Sequence, residues 1–216
     1  MFAHAAPDAK NPAPSLPTVF VVDDDLSLRE ALSSLIRSVG LQVETCDSAD
    51  AFIARCRAPI AHEACVVLDV RMPGMSGLDL QREMGGWPRQ PPIVFITGHG
   101  DIPMTVRAIK AGAVEFLPKP FRDQDLLDAI QAGLALDRAA LRKAAELAGL
   151  RARFDTLTQR EREVLALLVQ GLRNKQAADR LGISEVTVKV HRHNLMEKMQ
   201  AASVPALLHM VNQLGA

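Results

Sequence analysis

Apolar residues follow two alternating patterns over the first two thirds of the chain. Short runs without polar alternation predict strands that helices cover on both faces, and they lie at 18–22, 41–46, 65–68, 93–96 and 114–117. Between these runs, apolar residues recur three and four positions apart, as on one face of an amphipathic helix. Five alternations of strand and helix predict an α/β doubly wound fold with a five-stranded parallel sheet.

The last third of the chain carries the helical pattern alone. Residues 137–153 are rich in Ala, Leu, Arg, Lys and Glu and contain no Pro, which predicts a helical linker. Thr158 and Glu161 have the spacing of a capping box at the start of a helix. A short turn at 182–184 predicts a junction between two further helices, with Ser184 as the N-cap of the second. We therefore predict an all-α domain of four helices that contains a helix-turn-helix.

These patterns divide the chain into four segments. Residues 1–17 are rich in Ala and Pro and lack both a basic leader and an apolar core, so they predict a disordered tail, not a signal peptide. We expect the α/β domain at 18–136, the linker at 137–153 and the helix-turn-helix domain at 154–216.

Chemically reactive side chains follow four of the predicted strands. Asp23 and Asp24 follow the first strand, Asp69 the third, Thr97 the fourth and Lys119 the fifth. The carboxyl ends of parallel strands share one edge of the sheet, so we expect these side chains to converge. A lone Asp after a strand often only begins a turn. Clustered carboxylates repel one another, however, and a cation among them relieves the repulsion.

The same cluster suits phosphoryl chemistry. Mg²⁺ prefers oxygen ligands, keeps part of its water shell and bridges to phosphoryl groups. Asp69 is then placed to attack phosphorus and form an acyl phosphate. The hydroxyl of Thr97 and the ammonium group of Lys119 would meet the remaining phosphoryl oxygens.

The predicted helix 185–199 has two different faces. A rotation of about 100° per residue separates an apolar stripe from a mixed one. The first stripe, which we expect in the core, contains Val188, His191, Leu195 and Met199; the second contains Val186, Lys189, Val190, His193 and Glu197. Exposed valines beside Lys and His are unusual on a solvated face, although an ordinary charged helix face is the simpler alternative. They suit the major groove of DNA, where Lys can donate to guanine and valine can contact a thymine methyl group.

Composition indicates only in outline the partners and the compartment of the protein. The formal net charge is zero, but acidic residues outnumber basic ones over 1–138 and basic residues outnumber acidic ones over 139–216, which predicts different partners for the two parts. Three cysteines without C-x-x-C spacing predict reduced core residues in a cytoplasmic protein. No segment reaches the roughly 20 apolar residues of a membrane span, so we expect no membrane association.

Several motifs together resemble one family. The sequences V-V-D-D, V-V-L-D-V-R-M-P-G-M-S-G, F-I-T-G-H-G-D and L-P-K-P-F are similar to those of receiver domains in bacterial two-component response regulators. The last third resembles the LuxR/FixJ/NarL-type DNA-binding domain. The likeness is greatest to FixJ-like regulators, including those of styrene and toluene catabolism. It implies a flavodoxin-like receiver fold followed by the helix-turn-helix domain.

The resemblance implies a role for each residue of the receiver site. Asp69 matches the phosphoacceptor, and Asp23, Asp24 and the backbone carbonyl of Arg71 match metal ligands. Thr97 and Lys119 match the pair that grips the phosphoryl group, and the Lys119–Pro120 bond matches one that is cis in this family. Phe116 matches the aromatic switch that turns inward when Thr97 moves, although many relatives have Tyr there. Arg71 and His99 match positions that tune hydrolysis of the phosphoryl group.

In the DNA-binding part, the resemblance implies contacts of two kinds. The base-reading candidates are Lys189, Val190 and His193. The phosphate-contact candidates are Lys175, Thr187, Arg192 and Asn194. The basic excess of this part is small, so one copy should bind weakly and a homodimer on paired half-sites should bind tightly.

The expected function is a transcription regulator, not an enzyme. A sensor histidine kinase donates the phosphoryl group, and the activated dimer binds double-stranded promoter DNA and acts on RNA polymerase. One alternative is a haloacid-dehalogenase-type phosphohydrolase, but those enzymes need a second Asp where this chain has Arg71. Another is a regulator that senses a small ligand or acts without phosphorylation.

Overall fold

The structure, a computed structural model, describes residues 16–57, 60–98 and 102–215. Two compact units divide the chain between Leu141 and Arg142. Most of the predicted tail, and His99, lie outside the described residues.

The first unit contains a five-stranded parallel sheet within the described residues, as predicted. The strands are β1 Thr18–Val22, β2 Gln42–Cys46, β3 Ala64–Asp69, β4 Ile93–Thr97 and β5 Glu115–Pro118, in the order β2-β1-β3-β4-β5. Every residue of β1, β3 and β4 is buried, which explains why their sequences lack polar alternation. The register pairs Val22 with Leu68 and Leu68 with Phe95, so the residues that follow these strands meet at one edge.

Helices cover both faces of this sheet. They are α1 Leu26–Ser38, α2 Ala49–Arg55, α3 Gly77–Met84, α4 Ile102–Lys110 and α5 Asp123–Asp155. One face packs Phe20 and Phe95 against Phe52 of α2. The other packs Val21 and Ile96 against helical residues that include Ile130. The two faces of alternating strand residues therefore supply two separate cores.

Helix α5 is 33 residues long. Residues 137–153 belong to it, so the predicted linker is helical. The predicted domain boundaries at 136 and 153 fall inside α5 and stay predictions. None of the described helices combines the length and apolar character needed to cross a bilayer.

The described part of the second unit consists of helices joined by short turns, and the helices have clear local start and stop signals. After α5 come α6 Gln159–Val169, α7 Asn174–Leu181, α8 Glu185–Met199 and α9 Val204–Leu214. The predicted capping box of Thr158 and Glu161 forms at the start of α6. Gly182 ends α7 with a φ of 65°, a conformation that favours glycine. The hydroxyl of Ser184 then accepts a hydrogen bond from the amide of Thr187 and starts α8, which completes the predicted helix-turn-helix.

Candidate functional site: an acidic cluster and a helix-turn-helix surface

The predicted carboxylates meet at the carboxyl edge of the sheet. One oxygen each from Asp23, Asp24 and Asp69 lies within 4.8 Å of the others. Asp23 is 1% exposed and Asp69 is 6% exposed, whereas Asp24 faces solvent. Two buried acids and one exposed acid leave an opening toward solvent on one side of the cluster.

Lys119 joins the two buried acids. Its Nζ donates to Oδ2 of Asp23 at 2.8 Å and to Oδ1 of Asp69 at 3.2 Å. The backbone amide of Lys119 donates to the carbonyl oxygen of Thr97 at 2.7 Å, which fixes the chain just after β5. The Lys119–Pro120 peptide bond is cis, as the family resemblance implied.

Burial and charge act in opposite directions on this cluster. Burial raises the pKa of the Asp69 carboxyl, and the Asp23 carboxylate raises it further, while Lys119 partly offsets both effects. Burial alone would lower the pKa of the Lys119 ammonium group, but its hydrogen bonds and attraction to Asp23 and Asp69 raise it overall. Lys119 therefore stays protonated, and an additional cation at Asp69 would favour the ionised carboxylate.

Thr97 and Phe116 lie on adjacent strands beside the cluster. Thr97 is fully buried at the end of β4 and Phe116 is 8% exposed on β5. The ring centroid of Phe116 lies 6.1 Å from that of Phe95, with the rings tilted by 45°. In this structure the Phe116 ring is thus packed in the core of the first unit.

Two residues near the cluster have roles that the sequence analysis did not assign. The carboxylate of Asp25 caps α1 by accepting hydrogen bonds from the amides of Ser27 and Leu28, and its own amide donates to Oδ1 of Asp23 at 2.8 Å. Arg29 donates to the carbonyl oxygen of Asp23 at 2.6 Å. An Asp directly before a helix is a recognised N-cap signal, so the sequence could have revealed the first role. The hydrogen bonds from Asp25 and from Arg29 to Asp23 hold the backbone around this acid.

The loop after β3 returns close to Asp69. Arg71 lies in this loop with its side chain exposed. The amide of Gly77 donates to the carbonyl oxygen of Val70 at 3.0 Å. Any side chain at position 77 would overlap the carbonyl oxygen of Asp69. Because residue 77 is glycine, the backbone at the start of α3 can approach the backbone of Asp69 closely.

The two faces of α8 are arranged as predicted. Val188, Leu195 and Met199 are fully buried, and His191 is half-buried. Val186 is 69% exposed and Val190 is 53% exposed. The mixed stripe therefore remains on the surface of the unit.

Two of the four predicted phosphate-contact residues already have partners near the turn. Arg192 donates to Oδ1 of Asn174, the first residue of α7, at 2.9 Å, and the hydroxyls of Thr187 and Ser184 lie 2.8 Å apart. Among the other predicted contacts, Lys175 and His193 are exposed and Asn194 is half-buried. Lys189 pairs with Glu185 at 3.2 Å, one turn earlier in α8.

An ion pair between a half-buried lysine of α8 and a buried carboxylate of α6 joins these two helices. Nζ of Lys198 donates to Oε2 of Glu161 at 2.8 Å, and the same oxygen accepts from the amide of Thr158 at 2.8 Å. Glu161 is 2% exposed. Burial alone would raise the pKa of the Glu161 carboxyl, but hydrogen bonds from Lys198 and Thr158 outweigh it and hold that pKa below its usual value. The sequence analysis identified Glu161 only as a capping residue and missed Lys198.

Family models match both units. Residues 19–131 match the response regulator receiver domain, and residues 155–211 match the LuxR family of bacterial regulatory proteins.

Individual relatives match nearly the whole chain. The response regulator protein TmoT of Ectopseudomonas mendocina is 50% identical over 91% of this chain and 88% of its own. The transcriptional regulatory protein FixJ of Rhizobium meliloti is 44% identical over 89% of this chain and 94% of its own. Among solved structures, the response regulator StyR superimposes with a TM-score of 0.82 and 54% identity over 92% of this chain and all of that one.

Proposed function

Because the chain belongs to the response regulators that join a receiver domain to a LuxR-type DNA-binding domain, and is thus a phosphorylation-regulated transcription regulator, we propose that Asp69 is its phosphoacceptor. A sensor histidine kinase supplies the phosphoryl group, and a homodimer of the activated chain binds promoter DNA. The observation that carries the proposal is the convergence of Lys119 with the two buried acids, Asp23 and Asp69.

Asp69 suits the role of nucleophile. It ends a central strand, is nearly buried, and has Lys119 at 3.2 Å. A carboxylate oxygen of Asp69 forms the new bond to phosphorus while the bond from phosphorus to the kinase histidine breaks, and the imidazole leaves. Lys119 and the hydroxyl of Thr97 then receive the charged phosphoryl oxygens.

The acidic cluster fits Mg²⁺, which receiver domains bind at an acidic pocket. The three carboxylate oxygens are close enough to share one ion, and they are the hard donors that Mg²⁺ prefers. Asp23, Asp24 and Asp69 would hold it, with the backbone carbonyl of Arg71 as a fourth ligand. The ion supplies positive charge that offsets the repulsion between the acids and the incoming phosphoryl group.

Phosphorylation then changes the packing around Thr97 and Phe116. The phosphoryl oxygen offers the hydroxyl of Thr97 a new acceptor, and any shift of Thr97 changes the space available to the Phe116 ring on the neighbouring strand. The chain has no Tyr, so the states of this ring differ by apolar burial and not by a phenol hydrogen bond. The switch is a shift in the population of two packing states.

The helix-turn-helix contacts DNA through α8. Lys189, Val190 and His193 lie on its exposed face and read base edges in the major groove. Lys175, Thr187, Arg192 and Asn194 position the helix on the phosphate backbone. The bond from Arg192 to Asn174 and the contact between Thr187 and Ser184 pre-organise two of these side chains at the junction of α7 and α8.

The remaining parts of the proposal rest on the family. The dimer supplies affinity that a single, weakly basic domain lacks. The bound dimer acts on RNA polymerase in the cytoplasm, where the promoters are.

The first experiment is to measure the intact mass after incubation with acetyl phosphate and Mg²⁺. Wild type should gain one phosphoryl group, and Asp69→Asn should gain none. The exposed Asp50 of α2 provides the control Asp50→Asn, which should react like wild type. Equal phosphorylation of Asp69→Asn would contradict the assignment of the phosphoacceptor.

The second experiment links phosphorylation to DNA binding. The treated protein selects duplexes from a random library, and their affinities are compared with and without acetyl phosphate. Treatment should tighten binding for wild type and leave Asp69→Asn unchanged. Equal affinities for treated and untreated wild type would contradict the proposed switch.

A further inference from the structure

Helix α8 exposes an apolar pair that its own unit does not explain. Among the described residues of the second unit, the exposed large apolar side chains are those of Val169, Val186 and Val190. Val186 is the most exposed of the three, at 69%. Valine has only a modest helix propensity, and these side chains are outside the core, so neither helix formation nor packing accounts for the pair.

The position of the pair in α8 points toward a ligand. Val186 is the second residue of the helix, and the N-terminal residues of the second helix are those that reach base edges in helix-turn-helix proteins. Val190 follows Val186 by four positions, which places the two side chains about 40° apart around the helix and about 6 Å apart along its axis. The exposed ammonium group of Lys189 and the exposed imidazole of His193 share this face. One is a cation and both can donate hydrogen bonds, which suits a polyanionic partner.

We propose that Val186 is a specificity-determining residue that, together with Val190, recognises the methyl groups of thymines in the operator. This inference rests on the proposed binding of DNA. The thymine methyl is the apolar group that the major groove presents. An uncharged valine does not attract phosphates, so its contribution must depend on the base sequence. Val186 thereby extends the base-reading set of Lys189, Val190 and His193 toward the start of α8.

The test replaces thymine by uracil, which removes one methyl group and keeps every base-pairing group. The full chain, treated with acetyl phosphate and Mg²⁺, first selects duplexes from a random library. Fluorescence anisotropy then measures its affinity for those duplexes with single uracil substitutions. We expect about a fourfold loss at each contacted thymine, the equivalent of roughly 0.8 kcal/mol for one buried methyl group.

Variants connect that loss to Val186. At one contacted position, Val186→Ala should have the same affinity for the duplex with thymine and the duplex with uracil, whereas wild type should bind the thymine duplex more tightly. Val186→Thr keeps one methyl group and the branched shape, and should keep part of the distinction. Val169→Ala, at an exposed valine of α6, should leave it intact. Because position 186 is exposed, the far-ultraviolet circular dichroism and thermal midpoint of Val186→Ala should match wild type.

The outcomes separate this inference from the function on which it rests. Failure to select any duplex would overturn the proposed DNA binding and the inference together. Selected duplexes that bind equally well with thymine and uracil would overturn the inference alone. So would a Val186→Ala variant that keeps the full distinction, since Val186 would then face the sugar-phosphate backbone or a protein partner.

Discussion

Gly77 packs its backbone against Asp69 so closely that the two positions constrain one another. A Cβ at Gly77 would overlap the carbonyl oxygen of Asp69 and lie 3.1 Å from its carbonyl carbon. The amide of Gly77 also donates to the carbonyl oxygen of Val70. The first turn of α3 therefore packs directly against the end of β3, which carries the proposed phosphoacceptor.

Gly77→Ala should disturb both stability and phosphorylation. The added methyl group meets backbone atoms that cannot rotate away, so the variant should lose about 1–3 kcal/mol of unfolding free energy, as overpacked cores do. Urea unfolding followed by the fluorescence of Trp87, the single tryptophan, measures the loss. The displaced Asp69 should also take up phosphate from acetyl phosphate more slowly, as intact mass against time will show.

A second glycine provides a matched control for that variant. No atom lies within 4 Å of a Cβ built on Gly149 in α5. Gly149→Ala, in the second unit, should therefore leave the Trp87 urea midpoint and the uptake rate unchanged. It should stabilise its own helix by up to about 1 kcal/mol through propensity alone, which hydrogen exchange of the α5 amides around position 149 measures. A wild-type urea midpoint and uptake rate for Gly77→Ala would refute the constraint between Gly77 and Asp69.

Asp69→Asn should make the receiver unit more stable at neutral pH in the absence of divalent metal. Burial raises the pKa of the Asp69 carboxyl above its ordinary value of 3.8, so the folded chain binds a proton more tightly there than the unfolded chain. The stability of wild type must therefore fall as the pH rises through the raised pKa. Asparagine resembles the neutral acid and escapes this loss.

The thermal midpoint with a chelator present measures this effect. At pH 7 we expect Asp69→Asn to melt about 4 °C higher, the shift that roughly 1 kcal/mol produces. The advantage should shrink as the pH falls toward 3.8. Asp24→Asn, at the exposed acid of the cluster, should change the midpoint much less. A lower midpoint for Asp69→Asn at pH 7 would mean that the pairing with Lys119 outweighs the cost of burial.

At the opposite edge of the sheet, where the strands begin, the ion pair of the buried Asp137 with Arg89 should be among the strongest polar contributions to the receiver unit. Asp137 is 2% exposed and accepts hydrogen bonds from the amide of Ala64 at 2.7 Å and from Arg89. Arg89 also donates to the carbonyl oxygen of His62 at 2.9 Å. Asp137→Ala leaves this cation without its counter-charge, so it should cost about 3–5 kcal/mol in urea unfolding.

The neighbouring pair of Arg138 and Glu63 tests whether burial is the cause. Arg138 follows Asp137 in α5 and pairs at 2.8 Å with Glu63, the residue before β3, but the Arg138 side chain is 56% exposed. Glu63→Gln should consequently leave the urea midpoint close to that of wild type. Equal losses in Asp137→Ala and Glu63→Gln would argue against burial as the source of the stabilisation.

The sequence predicted those parts of the fold that depend on local patterns. The convergence of Asp23, Asp69 and Lys119 follows from parallel strands, and that arrangement follows from five alternations of strand and helix. The bonds from Arg89 to Asp137 and from Lys198 to Glu161 join residues 48 and 37 positions apart. No periodicity encodes such pairs, because they depend on which elements pack together.

The contact between Gly77 and Asp69 escaped the sequence analysis for a related reason. A glycine at the start of a helix suggests a turn, but not which backbone atom lies against it. The exposed face of α8, in contrast, could be predicted from the 3.6-residue period once the buried stripe was recognised.

Because of Glu161, the stability of the DNA-binding unit should fall in acid, and a single substitution should weaken this dependence on pH. Hydrogen bonds from Lys198 and Thr158 hold the pKa of its carboxyl below the ordinary value of 4.5 despite burial. The pair therefore stabilises the folded unit at pH values above 4.5, and this contribution is lost as the pH falls through the lowered pKa. Hydrogen exchange of the α6 and α8 amides follows this unit, whereas Trp87 reports on the other. Glu161→Gln should exchange faster at pH 7 and show a weaker pH dependence. Glu163→Gln, at a residue that faces Arg160 on the surface of α6, is the control and should exchange like wild type at pH 7. If Glu161→Gln instead exchanged like wild type at pH 7, the position of α8 would depend on the apolar contacts of Val188 and Leu195 and not on its ion pair.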